Sequence, residues 1–293
     1  MNIKSMKIGE MILIYGTLVF IAITSLFPIA WMFMTSLKSY SDIMVIPPSW
    51  FAPEYTLDNL RILYETVRPE ITVAHMIAYK PIYTGILNSF ICSTSATILA
   101  IVLSTLAGYA FGRFKIWGDS VLLVSILFAQ MLPQSIVIIP FYKFLLGIGL
   151  LNTYPGLIFS YLTITVPFSV WLMRAAFQEL PRTLEEAAYI DGCSRFRTFW
   201  KIALPLTMPA IASVFIYNFL SLWSEFMFGY TFMSSWEMQP VGVQIVNIST
   251  DVATTHWGVT MAASIWSMIP VLIMALIFQK YLIRGLLSGH AKG

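Results

Sequence analysis

Residues 179–209 read Glu179-Leu-Pro-Arg-Thr-Leu-Glu-Glu-Ala-Ala-Tyr-Ile-Asp-Gly-Cys-Ser-Arg-Phe-Arg-Thr-Phe-Trp-Lys-Ile-Ala-Leu-Pro-Leu-Thr-Met-Pro209. In this stretch Thr183 is followed three residues later by Glu186, the pattern of a capping box, which predicts that a helix starts near Leu184. Gly192 predicts where that helix ends, because glycine tolerates the left-handed turn that closes a helix. The stretch therefore predicts a short helix followed by a tight turn.

The second half of this stretch is rich in aromatic residues. Phe196, Phe199 and Trp200 would form an apolar face on a second short helical segment. Pro205 and Pro209 are expected to break that segment before the next apolar run. Two interpretations fit such a face. It could dock into the groove of another protein, or it could rest on a lipid surface as an amphipathic element.

The chain around this stretch is strongly apolar. Of its 293 residues, 58% are hydrophobic and only 11% are charged, and the mean hydropathy is +0.78. Soluble domains have roughly 45–50% apolar and about 25% charged residues. This composition excludes a disordered chain and a disulfide scaffold, and it indicates a protein that crosses the membrane several times. A net charge of +3 with scattered basic residues gives no indication of nucleic-acid binding.

Six apolar runs are long enough for a bilayer core of about 30 Å, which needs roughly 20 helical residues. They cover residues 11–37, 83–108, 121–146, 154–174, 209–233 and 259–282. We therefore expect residues 1–293 to form one all-α transmembrane domain with six transmembrane helices. The connecting segments are an outer loop 38–82, a cytoplasmic loop 178–208 and a C-terminal tail 283–293. With both termini in the cytoplasm, 12 of the 17 basic residues fall on the inner side, which predicts that orientation.

The sequence contains no motif for catalysis or for nucleotide hydrolysis. No Gly-Lys dipeptide occurs, so a Walker A loop is absent. His-Glu-x-x-His, Cys-x-x-Cys and Gly-x-Ser-x-Gly are absent as well. We therefore expect a chain that is not an enzyme, with no catalytic residue, no metal and no cofactor of its own.

Residues in the long loop now become recognisable. Glu186-Ala187-Ala188, then Gly192, then Leu204-Pro205 resemble the EAA loop of ABC importer permeases, and Asp191 and Phe199 add to the likeness. Outside the loop, Leu106-Ala-Gly-Tyr-Ala-Phe111, Met131-Leu-Pro133 and Asn152-Thr153 are similar to the MalG-like permeases of carbohydrate importers.

The resemblance implies a fold and a coupling site. The fold is the type I (MetI-like) permease fold, and the loop is the coupling helix that sits in a cleft of a cytoplasmic ATPase. The expected coupling residues are Glu186, Ala187, Ala188, Asp191, Gly192, Phe196, Phe199, Leu204 and Pro205. In this interpretation Glu186, Asp191 and Gly192 fix the helix. The small alanines let a partner approach, and Phe199 with its neighbours docks.

The resemblance also implies partners in a bacterial inner membrane. They are a homologous second permease subunit, an ABC ATPase dimer that binds ATP and magnesium, and an extracytoplasmic solute-binding protein met by the loops 38–82 and 234–258. Membrane lipid surrounds the chain, and nucleic acid is not a partner. The implied substrate is a carbohydrate, an oligosaccharide that is neutral as in maltose-type systems or acidic like alginate.

Polar and aromatic residues in the apolar runs are candidates for a translocation path. They are Glu225, Asn218, Trp223, Tyr230, Gln130 and Gln134. Glu225 lies 16 residues after Pro209, about 24 Å up a continuous helix, where an ionisable group should face a cavity or a partner. The alternatives are a polar contact with the companion permease for Glu225 and a packed helix kink for the glutamines.

A rival function from another class is an ion-coupled secondary carrier. Such carriers have ionisable residues at mid-membrane and commonly an inverted repeat. Only Glu225 comes near that position, and no repeat is visible in the sequence.

Overall fold

The computed structural model describes residues 8–66, 80–249 and 256–290, with side chains described for 9–66, 80–249 and 256–279. These residues form helices and connecting turns and contain no strand. The first helices are Ile8–Ser36 (α1), Tyr40–Ile43 (α2), a 3-10 turn at Asp58–Leu63, Tyr83–Arg113 (α3), Asp119–Gln130 (α4), Gln134–Gly147 (α5) and Tyr154–Glu179 (α6). The remaining ones are Arg182–Ile190 (α7), Arg195–Thr198 (α8), a π-helical turn at Phe199–Ala203, Leu204–Leu206 (α9), Met208–Trp223 (α10), Met227–Phe232 (α11), a 3-10 turn at Trp236–Met238, Val241–Ser249 (α12) and Trp257–His290 (α13).

Four described helices are long and apolar enough to cross a membrane by themselves. These four are Gly9–Ser36, Tyr83–Arg113, Tyr154–Glu179 and Trp257–Gln279. Two further pairs of helical segments meet the same criteria only when each pair is taken together. The axes of α4 and α5 differ by 95°, and the axis of Arg195–Leu206 differs from that of α10 by 69°. The described part of the chain therefore has four spans, or up to six if each bent pair counts as one.

The structure corrects the continuity of two predicted spans. The run 121–146 is interrupted at Met131–Pro133, because proline disfavours the helical conformation of the residue before it. The run 209–233 is interrupted as well, since α10 ends at Trp223 and α11 begins only at Met227. A window of hydropathy cannot detect such breaks, because the residues on either side remain apolar.

The described residues group into two compact units. One draws on Met1–Tyr83 and Ile245–Ser267, and the other on Thr84–Gln244 and Met268–Gly293. The second unit contains two apolar clusters. One surrounds Tyr161 and includes Phe228, while the other surrounds Tyr109 and includes Phe177.

Helices α3 and α6 approach each other closely at two glycines. A Cβ atom on Gly108 would lie 2.6 Å from the Met173 Cβ and 2.8 Å from the Arg174 backbone nitrogen. A Cβ atom on Gly112 would lie 3.1 Å from the Phe177 Cβ. The Gly-x-x-x-Gly spacing permits this approach, because helices in lipid gain stability from close van der Waals packing at small residues.

Asn152 holds the turn before α6 against the segment after α11. Its φ of 56° is left-handed, and its Oδ1 accepts hydrogen bonds from the Ser234 and Ser235 backbone nitrogens at 3.1 and 3.2 Å. We expect Asn152→Ala to lower the free energy of unfolding by about 1–2 kcal/mol, because two donors lose their acceptor. Asn152→Asp keeps an acceptor oxygen for both backbone donors and serves as the control. Thermal unfolding of the detergent-solubilised protein measures both variants, and an equal loss in the two would contradict the prediction.

Candidate functional site

Helix α7 is the first of the elements predicted in the long loop. It begins at Arg182, directly after Pro181, whose φ of −58° and ψ of 127° make it the N-cap residue. Thr183 therefore lies inside the first turn and cannot cap the helix, so the predicted capping box is wrong. The predicted end is confirmed, since Gly192 has a φ of +79°.

Two backbone hydrogen bonds close the end of α7. The Gly192 nitrogen donates to the Tyr189 carbonyl at 3.1 Å, and the Cys193 nitrogen donates to the Ala188 carbonyl at 2.9 Å. This pair of bonds is the Schellman motif, in which a left-handed residue satisfies the last carbonyls of a helix. The turn between α7 and α8 is therefore fixed by the backbone itself.

A buried ion pair joins α7 to the end of α3. The Arg113 Nε lies 3.0 Å from the Glu185 Oε1, and both side chains are almost completely buried. The Arg113 Nη2 also donates to the Leu180 carbonyl at the end of α6, at 3.0 Å. One guanidinium group thus connects three helices. Neither residue of this pair was among the predicted site residues. The Glu185-Glu186 doublet was a usable signal, because adjacent carboxylates on a short helix cannot both face the same side.

The two faces of α7 differ in accessibility. Glu185 and Ala188 are buried, whereas Glu186, Ala187 and Ile190 are exposed. The expectation that Ala188 leaves room for a partner is therefore corrected, since its small size serves packing inside this chain. Asp191 and Gly192, at the end of the helix, are exposed as well.

The aromatic residues in the second half of the long loop also divide into exposed and buried ones. Phe196 is 74% exposed and Trp200 is exposed, whereas Phe199 is only 5% exposed. The ring of Phe199 lies 4.8 Å from that of Tyr109 and 6.3 Å from that of Phe177. Phe199 therefore cannot dock onto a partner directly, and it instead holds the loop against α3 and α6.

Pro205 does not break the second helical segment as expected. It occupies the first turn of α9, where a missing N–H is tolerated. The bend comes at Thr207, between α9 and α10, and Pro209 lies in the first turn of α10, which begins at Met208. Leu204 is half-buried against the Tyr109 cluster, and Pro205 is exposed.

Glu225 lies at the break between α10 and α11. Its carboxylate accepts hydrogen bonds from the Phe228 and Gly229 backbone nitrogens, at 2.8 and 3.3 Å, and it is hydrogen-bonded to the Tyr161 side chain. The placement 24 Å up a continuous helix is therefore wrong. The chain breaks here because the carboxylate satisfies the free N–H groups at the start of α11.

The other candidates near Glu225 do not share one surface with it. Asn218 is fully buried and bonded to Ser169, its Nδ2 lying 2.8 Å from the Ser169 Oγ. Trp223 is buried with its ring 5.6 Å from that of Phe219. Tyr230 alone of this group is exposed. Asn218 and Trp223 therefore act as packing residues within the chain.

The two glutamines, in contrast, lie together. Gln130 and Gln134 line a cleft of about 320 Å³ at the bend between α4 and α5, together with Thr163 and Ile164 of α6. The Gln130 Nε2 donates to the Ile164 carbonyl at 2.6 Å. Ile164 lies in the turn before Pro167 of α6, so this bond joins the bend after α4 to the part of α6 that contains the proline.

Comparison with known proteins shows the family of this chain. Residues 100–288 match the family described as binding-protein-dependent transport system inner membrane component. The match covers more than half of the chain and includes the whole of the long loop. The chain belongs to this family. It is accordingly a multi-pass protein of the inner membrane.

Individual relatives agree with this family along nearly the whole permease. The trehalose/maltose transport system permease protein MalG of Thermococcus litoralis is 36% identical over 286 residues, which cover 97% of each chain. A crystal structure of a bacterial ABC transporter that imports the acidic polysaccharide alginate gives a TM-score of 0.75 at 22% identity, over 94% of this chain and 98% of the other. A second structure, the bacterial alginate transporter in complex with an alginate pentasaccharide-bound periplasmic protein, gives 0.64 at 15% identity, over 92% and 93% of the chains. The likeness confirms the predicted MetI-like permease fold.

Proposed function

We propose that this permease is the transmembrane subunit of an ABC importer for a carbohydrate. The support comes from the family match together with the relative whose name includes trehalose and maltose and the neighbour that imports alginate. The proposed partners are a homologous second permease, an ABC ATPase dimer and an extracytoplasmic solute-binding protein. ATP and magnesium belong to the ATPase, and this chain is proposed to be non-catalytic. Both termini are proposed to lie in the cytoplasm.

The division of the long loop into two faces is the observation that carries the proposed coupling. The inner face is fixed to the transmembrane helices by the Arg113–Glu185 pair and by Phe199. The outer face presents Phe196 and Trp200, large aromatic side chains of the kind that dominate protein interfaces. In the proposed coupling, the ATPase binds the exposed aromatic face of the loop. A movement of the ATPase then moves the transmembrane helices, because the other face of the loop is fixed to them.

The cleft at the bend of α4 and α5 is the proposed contact with the substrate. Gln130 and Gln134 supply amide groups that both donate and accept hydrogen bonds, which matches the hydroxyl groups of a sugar. In the part of the chain that the structure describes, no charged side chain lines this cleft. Its chemistry therefore favours a neutral oligosaccharide over an acidic one.

The double substitution Phe196→Ala/Trp200→Ala tests the docking face. Truncating two central aromatic residues of an interface costs more than about 1.4 kcal/mol, so we expect the amount of ATPase that co-purifies with the permease to fall by roughly tenfold or more. ATP-dependent uptake of trehalose and maltose into proteoliposomes should fall with it. Trp117→Ala is the matched control, because Trp117 is 98% exposed and lies outside the loop.

Two outcomes would speak against this assignment. Unchanged co-purification in the double variant would favour the interpretation in which the aromatic face rests on lipid. Uptake that continues without any ATPase and depends on an ion gradient would instead favour the secondary carrier.

A further inference from the structure

The segment after α2 is apolar and carries no charge. Between Asp42 and Glu54, residues 43–53 read Ile-Met-Val-Ile-Pro-Pro-Ser-Trp-Phe-Ala-Pro. An exposed connection in water normally contains charged or polar residues at shorter intervals, since large exposed apolar patches mark a site of contact. The composition of this segment therefore indicates that something other than water covers it.

Contacts with α1 place the segment beside that helix. The ring of Trp50 lies 4.8 Å from the ring of Trp31 and 5.2 Å from that of Phe27, edge-on in both cases. The Lys38 ammonium group donates to the Ser49 carbonyl and lies 5.3 Å above the Trp31 ring. The segment is thus fastened to the last turns of α1 by an aromatic contact and by a cation.

The apolar window of helix α1 is left uncovered by the rest of this chain. No residue of its apolar window is buried within the chain. Phe27 and Trp31 precede its last residue, Ser36, by nine and five positions, which corresponds to about 14 and 8 Å at 1.5 Å per residue. Because the 28-residue apolar helix is longer than the roughly 20 residues that cross the bilayer core, a centred helix extends about 6 Å past the core at each end. This places the Trp31 ring close to the boundary of the hydrocarbon and the Phe27 ring farther inside. Tryptophan and lysine at that level are the usual anchors of a membrane interface.

Two large side chains of the segment point away from the protein. Ile46 is 91% exposed and Phe51 is 72% exposed. Removing such large apolar surfaces from water is favourable, and the acyl region of a bilayer beside the uncovered face of α1 is where these two side chains would lose that contact with water. We infer that residues 44–51 lie in the membrane interface at the Ser36 end of α1 and insert Ile46 and Phe51 into the lipid.

Lipid is the proposed occupant of this surface. The segment continues the uncovered apolar surface of α1, a helix long and apolar enough to span a membrane, and it contains no charge to match a protein partner. The outer loop 38–82 therefore offers a solute-binding protein a smaller surface than expected, without residues 44–51. The part that begins at Glu54 remains available for that contact.

Spin labels test the location directly. The importer is purified through a tag on this chain, reconstituted into nanodiscs of phosphatidylethanolamine and phosphatidylglycerol, and labelled at Ile46→Cys or Phe51→Cys. Glu54→Cys is the control, since Glu54 is exposed and follows the uncharged segment. The background carries Cys193→Ala, while Cys92 is fully buried and does not label. Collision rates with oxygen, which concentrates in lipid, and with a water-soluble nickel chelate give the depth of each label.

We expect labels at 46 and 51 to collide mainly with oxygen and to lie about 5–10 Å deeper than the label at 54, as for an interfacial segment. Labels at 46 and 51 that collide with the nickel chelate as often as the label at 54 would place the segment in water and overturn the inference. Labels protected from both reagents would show that a protein covers the segment, which would overturn it equally.

Discussion

Replacing Arg113 with methionine is expected to lower the free energy of unfolding of the permease by about 3–5 kcal/mol. The substitution leaves the Glu185 carboxylate almost completely buried without its counter-charge, and it also removes the donor to the Leu180 carbonyl. Thermal or denaturant unfolding in detergent, with folded yield after membrane extraction, measures the loss. Arg182→Met is the matched control, because Arg182 is an exposed arginine on α7, the helix that contains Glu185.

A second variant separates the buried charge from the packing of the arginine stem. In Arg113→Met/Glu185→Met both charges are absent, so the penalty for an unpaired carboxylate disappears and stability should recover in large part. If the double variant were as unstable as the single one, the ion pair would not be the source of the loss. If Arg113→Met were as stable as Arg182→Met, the pair would contribute nothing to the fold.

Replacing Gly108 with valine is expected to force α3 and α6 apart. Even the Cβ atom would lie 2.6 Å from the Met173 Cβ and 2.8 Å from a backbone nitrogen, so no change of rotamer relieves the clash. Overpacking of this kind costs about 3 kcal/mol at the upper end of its usual range, and we expect a correspondingly lower melting temperature and a lower yield of folded protein.

Gly16→Val is the control for this variant. Gly16 also lies in a membrane-spanning helix, but nothing lies within 4 Å of a Cβ atom placed there. Valine and glycine differ little in intrinsic helix propensity, so Gly16→Val should unfold at nearly the wild-type temperature. A similar loss in both variants would attribute the effect to valine in the helix and not to the contact between α3 and α6.

Local chemistry made part of this structure predictable. Gly192 was placed correctly at the end of α7, because a left-handed turn needs a residue without a Cβ atom, and that requirement is visible in the sequence. The apolar runs likewise gave the spanning helices α1, α3, α6 and α13, since a bilayer imposes length and hydropathy directly.

The rest depends on contacts between distant residues. Arg113 and Glu185 are 72 positions apart, and the sequence around each residue contains no pattern that predicts their contact. Phe199 was assigned to the docking face because it lies three residues after Phe196 and next to Trp200, but its ring packs against that of Tyr109 at 4.8 Å, a residue from a distant part of the sequence. Glu225 was placed on a continuous helix because its side chain, and not a glycine or proline, produces the break after α10.

The π-helical turn has a mechanical consequence. In it the Leu204 nitrogen donates to the Phe199 carbonyl five residues earlier, so the turn holds one residue more than an α-helical turn of the same height. Returning to α-helical bonding would release that residue, and the segment between α8 and α10 would lengthen by about 1.5 Å and rotate by roughly 100°. The chain thus holds one extra residue between α7, which the Arg113–Glu185 pair fixes to α3, and α10. A change in this turn would alter the length of the segment while the ion pair stays intact.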